Sequence, residues 1–231
     1  MNDSVNQKYR SVFDIIGPIM IGPSSSHTAG AVAIGQAGNK HFGGIPKKVT
    51  VYYYGSFAQT HRGHGTDYAI AAGIMGLAAD DYRVPNAIKL ARKRGIDIRF
   101  VEEEGDSPIG HPNTALLDLK TDDRSVKLIG CSIGGGTIEI RGIEIFGIKM
   151  DISGPLPIII YKIPFNKLYC ATELMNYLNK VAPYNKQQSF NGTGFVLYEF
   201  DIINYISPQI VNSLHKKYPG ITESRWQIIS R

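Results

Sequence analysis

Five hydrogen-bonding side chains, Ser24, Ser25, Ser26, His27 and Thr28, stand in a row in "GPSSSHTAG", behind a Gly-Pro turn and ahead of the small-residue run "AGAVAIGQAG". If that run is a helix, its first turn leaves backbone N–H groups unpaired and carries partial positive charge, which attracts a carboxylate or phosphate. Hydroxyls beside those amides add donors without bulk, and hydrogen bonds to a charged group are worth about 1.5–3 kcal/mol each. The stretch reads as a small-anion cradle, although the same residue types serve equally well as helix caps in a polar loop. Adjacency of Ser26 and His27 does not make a nucleophile pair, since side-chain geometry decides that.

Three further stretches carry similar chemistry. "GSFAQTHRGHGTD" holds His61 and His64 in a Gly-rich loop and ends at Thr66 and Asp67, the expected cap of a second helix. "GHPNT" presents His111 and Asn113 ahead of a strand, and "CSIGGGTI" lets backbone approach a neighbour closely through Gly134, Gly135 and Gly136. Each alone is a weak signal, because a lone histidine is usually structural and a glycine triplet is usually a turn. His27, His61, His64 and His111 nevertheless all lie in polar, Gly-flanked loops, which is the pattern of one shared site. Zinc fits poorly: His61 and His64 with His111 have loose spacing, and no carboxylate or cysteine is placed to complete a tetrahedral set.

The elements that must position these loops can be read from periodicity. "KKVTVYYYG" alternates as a strand, "GTDYAIAAGIMGLAADD" puts Ile70, Ile74, Leu77 and Ala78 on one helical face, and "PNAIKLARKRG" is a helix closed by Gly95. Strands follow at "IDIRFVE", "NTALLDLK", "SVKLIGCSI" and "IEIRGIEIFGIKM", so the first part is mixed α+β. "DISGPLP" is the best linker, which divides the chain into residues 1–152 and 153–231. Beyond it come strand "PIIIYKI", helix "LYCATELMNYLNKVA", a weak extended stretch at "YNKQQSF", strand "GFVLYEFDI", helix "SPQIVNSLHKKY" and strand "SRWQIIS". That order is βαββαβ, the ferredoxin-like split unit, with Ser207 capping its second helix.

Composition narrows the function classes. The 231 residues suit two domains, and 43% hydrophobic against 19% charged residues is ordinary for a globular protein. The net charge of +5 is dispersed, and the basic run "ARKRG" is followed closely by the acidic "VEEEG", so nucleic acid is not an expected partner. The N-terminus lacks the pattern of a signal peptide and no apolar run approaches membrane-spanning length, so a cytoplasmic location away from membranes is expected. Cys131 and Cys170 are isolated from each other and cannot supply the thiolates of an iron–sulfur cluster within one chain.

"SVFDIIGPIMIGPSSSHTAG", "GSFAQTHRGHGTDYAIAAGIMG", "GHPNTALLDL" and "CSIGGGTIEI" resemble, in order and spacing, the signature blocks of the β subunit of iron–sulfur-dependent L-serine dehydratase, or L-serine ammonia-lyase. The resemblance runs from about Ser11 to Met150. It implies a heteromeric lyase of amino-acid degradation that turns L-serine into pyruvate and ammonia, with an oxygen-sensitive [4Fe-4S] cluster on a partner α chain and no pyridoxal phosphate. By the same resemblance, His64 and His111 are expected as catalytic groups. Ser24, Ser25, Ser26, His27, Thr28, Thr66, Asp67 and Asn113 are expected to bind substrate or brace the loops that do. The C-terminal part is similar to an ACT domain, with regulation or a homodimeric contact between β chains as its expected role. "YKIPFNKLYC" stands where the usual D-x-x-G turn of that domain would be. An alternative is a non-catalytic module for a small anion or amino acid, because the N-terminal part also resembles the allosteric substrate-binding domain of some phosphoglycerate dehydrogenases. Anion binding alone would be better served by Arg and Lys, which these loops lack apart from Arg62.

Overall fold

Val49, Val51 and Tyr53 alternate with more polar neighbours, and in the computed structural model, which describes residues 19–152, 157–204, 206–219 and 221–224, they form the buried face of strand β1 (Lys48–Tyr54). The sheet is completed by β2 (Asp97–Glu102), β3 (Thr114–Lys120), β4 (Ser125–Gly134), β5 (Thr137–Ile145) and β6 (Ile148–Asp151). Its order is β2-β1-β3-β4-β5-β6, with β1 and β2 parallel and every other pair antiparallel. A parallel pair needs a crossover. Here it consists of α2 (Gly55–Thr60), α3 (Thr66–Ile74) and α4 (Ala87–Lys93), while α1 (Gly30–Phe42) precedes β1 and packs on β4 and α3.

The α1–α3 crossing explains two glycines. A Cβ on Gly73 would lie 2.1 Å from the carbonyl oxygen of Val32, and one on Gly35 would lie 2.4 Å from that of Ile70. The helices therefore touch backbone to backbone, and any side chain there would drive them apart.

Three local expectations are corrected. The helix expected through Asp81 stops at Ile74, followed by Gly76 at φ 77°. Its N-cap is Gly65 in the left-handed region rather than Thr66 or Asp67, and no side chain caps it. Asp67 is instead engaged by His61, as described below. "IEIRGIEIFGIKM" is not one strand but β5 and β6, reversed at Phe146 and Gly147, which both have positive φ.

The remaining chain forms β7 (Ile158–Pro164), α5 (Tyr169–Val181), β8 (Tyr184–Gly192), β9 (Phe195–Ile202), α6 (Pro208–Lys217) and β10 (Ile221–Ser224), a βαββαβ succession whose antiparallel sheet has the order β10-β7-β9-β8. The weak stretch at "YNKQQSF" is a full edge strand, and Ser207 caps α6 by accepting from the Ile210 N–H. The last strand expected at "SRWQIIS" lies beyond the described residues except for Ser224, and so do residues 153–156 of the expected linker.

One face of this second sheet, through Ile159, Tyr161, Phe200 and Ile202, packs on α5 and α6. The opposite face, through Ile158, Ile160 and Leu197, joins the same apolar core as α1 and the first sheet. Glu199 and Asp201 share that inner face with Leu197, because side chains alternate along β9 and Ile160 and Ile158 stand opposite them. Among the described residues no helix is long and apolar enough to cross a membrane.

Candidate active site

Residues Ser25–Ala29 form a π-helical turn that runs directly into α1, closed by the Gly30 N–H donating to the Ser25 carbonyl. Ser24 sits at its start in extended backbone, and its hydroxyl accepts from the His27 N–H at 3.3 Å. The wider π turn swings His27 inward, where it is 7% exposed. Its Nδ1 lies 3.1 Å from the Ser26 hydroxyl and 3.3 Å from that of Ser24, and its Nε2 lies 3.5 Å from the hydroxyl of Ser56. The ring stands edge-on to Phe57 at 5.1 Å and to His64 at 4.8 Å, with an interplanar angle of 88° to the latter. Burial, and secondly the charge of His64, hold His27 below the ordinary imidazole range. Burial thus favours the neutral form of the serine-flanked His27 ring, and His64 is the exposed member of the pair.

The loop before β3 reaches the same place. Gly55 adopts φ 54°, and a Cβ there would lie 2.8 Å from the Pro112 carbonyl, so only glycine lets the two loops meet. The Phe57 N–H donates to that carbonyl at 3.2 Å. Beside it, the Asn113 backbone N–H donates to His111 Nδ1 at 3.1 Å. A backbone amide only donates, so Nδ1 is the acceptor and the ring hydrogen of His111 resides on Nε2. Burial lowers the pKa of His111, Arg141 adds to this, and Glu139 opposes it.

Asn113 also ties this loop to the end of β4, exchanging backbone and side-chain bonds with Ser132. The Ser132 hydroxyl is fully buried, has no hydrogen-bond partner among the described residues, and faces Gly30 at the head of α1. The β4–β5 pairing is irregular here, between Ser132 and Gly134, before the glycine turn.

Of the residues expected from sequence, Ser24, Ser26, His27 and His64 form one contact group, and His111 and Asn113 lie on the loop that abuts α2. Ser25 is half-buried beside them. Thr28 and Thr66 are wholly buried, their hydroxyls without a partner among the described residues, and Thr28 lies against Gly22, so neither presents its hydroxyl on the surface those residues form. Asp67 accepts from His61 Nδ1 at 2.6 Å, while His61 Nε2 meets Glu102 at 2.8 Å. Arg62 pairs with the same Glu102 oxygen at 2.9 Å.

The serine-rich turn and both histidine loops lie within the stretch that matches a known family. Residues 11–142 match the family described as serine dehydratase beta chain. The chain belongs to that family. Among serine dehydratase beta chains, a probable L-serine dehydratase beta chain of Bacillus subtilis is 50% identical over 153 residues, covering 66% of this chain and 68% of the relative. The L-serine dehydratase beta chain of Peptoniphilus asaccharolyticus is 37% identical over 156 residues, covering 67% and 68%. An L-serine dehydratase of Haemophilus influenzae is 40% identical over 125 residues, which are 51% of this chain but only 23% of that much longer relative.

This member of the serine dehydratase beta family does not fit an iron–sulfur cluster with its own side chains. Cys131 is buried, with its thiol pushed up to about 11 by burial and by Glu139, and Cys170 belongs to the second βαββαβ unit. Among the described residues no group of three or more His, Cys, Asp or Glu side chains is placed to hold a metal.

Sequence reasoning missed Ser56, Phe57, Ser132 and Glu102. Ser56 lies inside "GSFAQTHRGHG", but the expected loop is a short helix, α2, and only helical backbone aims its hydroxyl at His27. Glu102 ends a strand far from His61 in sequence and meets it only through the β1–β2 pairing, for which no local pattern exists.

Proposed function

We propose that this chain is the β subunit of a heteromeric L-serine dehydratase, which converts L-serine to pyruvate and ammonia. The observation that carries the reading is the His27–His64 edge contact over the serine turn, with His111 on the adjoining loop. In overall balance, serine loses its Cα proton and its hydroxyl as water to give aminoacrylate. That product tautomerises to the imine, which takes up water to release pyruvate and ammonia.

The roles follow from the geometry. Ser24, Ser25 and Ser26 at the head of the π turn receive the substrate carboxylate, where hydroxyls and helix amides favour an anion. His64, exposed and next to a ring held neutral, moves the Cα proton. His111 presents its Nε2–H as a donor that orients substrate, with Asn113 fixing that tautomer. Thr28, Thr66 and Asp67 hold the loops rather than the substrate. The [4Fe-4S] cluster belongs to the α chain in this reading, and no step here runs through it. The unit over residues 153–231 is ACT-like in its strand order and serves regulation or contact between β chains, in a cytoplasmic complex.

Anaerobic pyruvate formation from L-serine tests this, with the chain alone, its α partner alone and the two mixed. Turnover only in the mixture supports the reading. A fully active partner whose serine dependence merely shifts on adding this chain replaces it with the regulatory alternative, in which the serine turn receives an effector.

A further inference from the structure

His61 is almost fully buried, yet neither ring nitrogen faces an apolar neighbour. Nδ1 meets Asp67 of the first turn of α3, and Nε2 meets Glu102 at the end of β2. Each ring nitrogen has a carboxylate partner. The imidazole thus ties a helix start to a strand end that are separated in the chain by α3, α4 and the length of β2. Beneath it lies the Tyr53 ring of β1, 4.8 Å away and tilted by 34°, and Tyr53 in turn contacts Phe57 at 6.1 Å. Phe57 touches His27, so an unbroken series of rings leads from the clamp to the proposed site.

The chain leaving His61 is equally constrained. His61 N–H donates to the Phe57 carbonyl, His64 N–H to that of Thr60, and Thr66 N–H to that of His61 itself. A four-residue excursion, Arg62 to Gly65, is pinned at its base and carries His64 at its tip. The charged groups around the clamp are Asp67 on α3, Glu102 on β2 and Arg62 on the loop, with the Tyr53 phenol on β1.

We propose that His61 is a positioning residue: bonded to Asp67 and Glu102 together, it fixes the loop that holds His64 edge-on to His27. The proposal rests on the role given to His64 above, and it explains why a second histidine stands three residues before the first. Arg62 strengthens the outer half by sharing Glu102, whose carboxyl is held below its usual range by the His61 hydrogen bond and then by Arg62.

The test uses the full chain with ring-labelled histidines, as wild type, His61→Gln and Glu102→Gln, followed by NMR across pH. Wild type should show close His27–His64 ring contact and a depressed His27 titration. Both variants should lose the contact and return the His27 titration towards that of an ordinary imidazole, Glu102→Gln to the smaller extent. With the α chain added, His61→Gln should lower kcat at least about tenfold with KM changed less than about twofold, since a misplaced proton-transfer group affects turnover before binding. Glu102 lies at the half-exposed end of the clamp, so its variant carries the test if His61→Gln does not fold. Folded variants that keep the His27–His64 contact overturn the proposal, whatever their kcat. If wild-type mixtures form no pyruvate, the dehydratase reading fails, and the NMR comparison still decides the positioning role.

Discussion

The Asn113 backbone N–H donates to Nδ1 of His111 at 3.1 Å, and this single bond fixes which nitrogen of the ring can serve a substrate. With Nδ1 occupied as acceptor, the ring hydrogen is on Nε2, and the proposed role of His111 is therefore that of a donor rather than a base. Glutamine places an amide N–H near the Nε2 position, whereas asparagine places it near Nδ1. His111→Gln should therefore retain more turnover than His111→Asn or His111→Ala, with the alanine variant down about a hundredfold in kcat/KM. Steady-state pyruvate assays on the reconstituted complex check the ranking, and equal loss in all three variants would remove the donor assignment.

The backbone contact between α1 and α3 makes a second prediction. Gly73→Ala places a methyl group 2.1 Å from the Val32 carbonyl, which no rotamer can relieve. The variant should lose about 3 kcal/mol of stability, at the upper end of overpacking costs. Urea unfolding measures this directly, and a midpoint within error of wild type would contradict the tight crossing.

Two buried groups set opposite pH limits. His41, at the end of α1, is lowered to about 4 by burial and then by Lys40. From its ordinary 6.5 down to about 4, the unfolded chain takes up a proton that the fold refuses, so stability is lost as pH falls through that window, by about 1.4 kcal/mol per unit. Glu199 is raised to about 8 by burial and by Asp201. Here the fold holds a proton that the unfolded chain releases above 4.5, so stability declines as pH rises from 4.5 towards 8. Between pH 4.5 and 6.5 the two slopes oppose each other, so denaturation midpoints should be nearly flat there and fall above pH 6.5. His41→Gln should extend the decline down to about pH 4.5, and Glu199→Gln should uncover a rise from about pH 4 to 6.5.

The cysteine chemistry makes the fourth prediction. Since Cys131 is an inert buried thiol and Cys170 lies in the other unit, the double variant Cys131→Ser, Cys170→Ser should leave iron and sulfide per complex unchanged. Loss of the cluster would place a ligand in this chain.

Much of this was legible in the sequence where one period or one cap decides the outcome. Alternation at Val49, Val51 and Tyr53 identified β1, and Ser207 before Pro208 identified the start of α6. The polar loops pointed to the candidate site because serines, histidines and glycines cluster in so few places, and the structure brings Ser24, Ser26, His27 and His64 into contact. What stayed hidden depends on tertiary contact. The β5–β6 reversal is made by Phe146 at φ 55°, a bulky residue that no turn rule selects. Its ring is held by Phe195 and by Lys162, whose ammonium lies 3.9 Å from the ring centre, and both partners come from the second unit. Gly65 replaced Thr66 as helix cap for a similar reason, because the neighbouring Asp67 is committed to His61.

Helix α1 has one end at the serine turn and its flank under the second sheet, with β10 against it and the seam holding Glu199 and Asp201 alongside. Its contact with α3 leaves no slack, because backbone already rests on backbone. Such a helix cannot shift alone: a displacement of the second sheet against it has to carry α3 and the serine turn along.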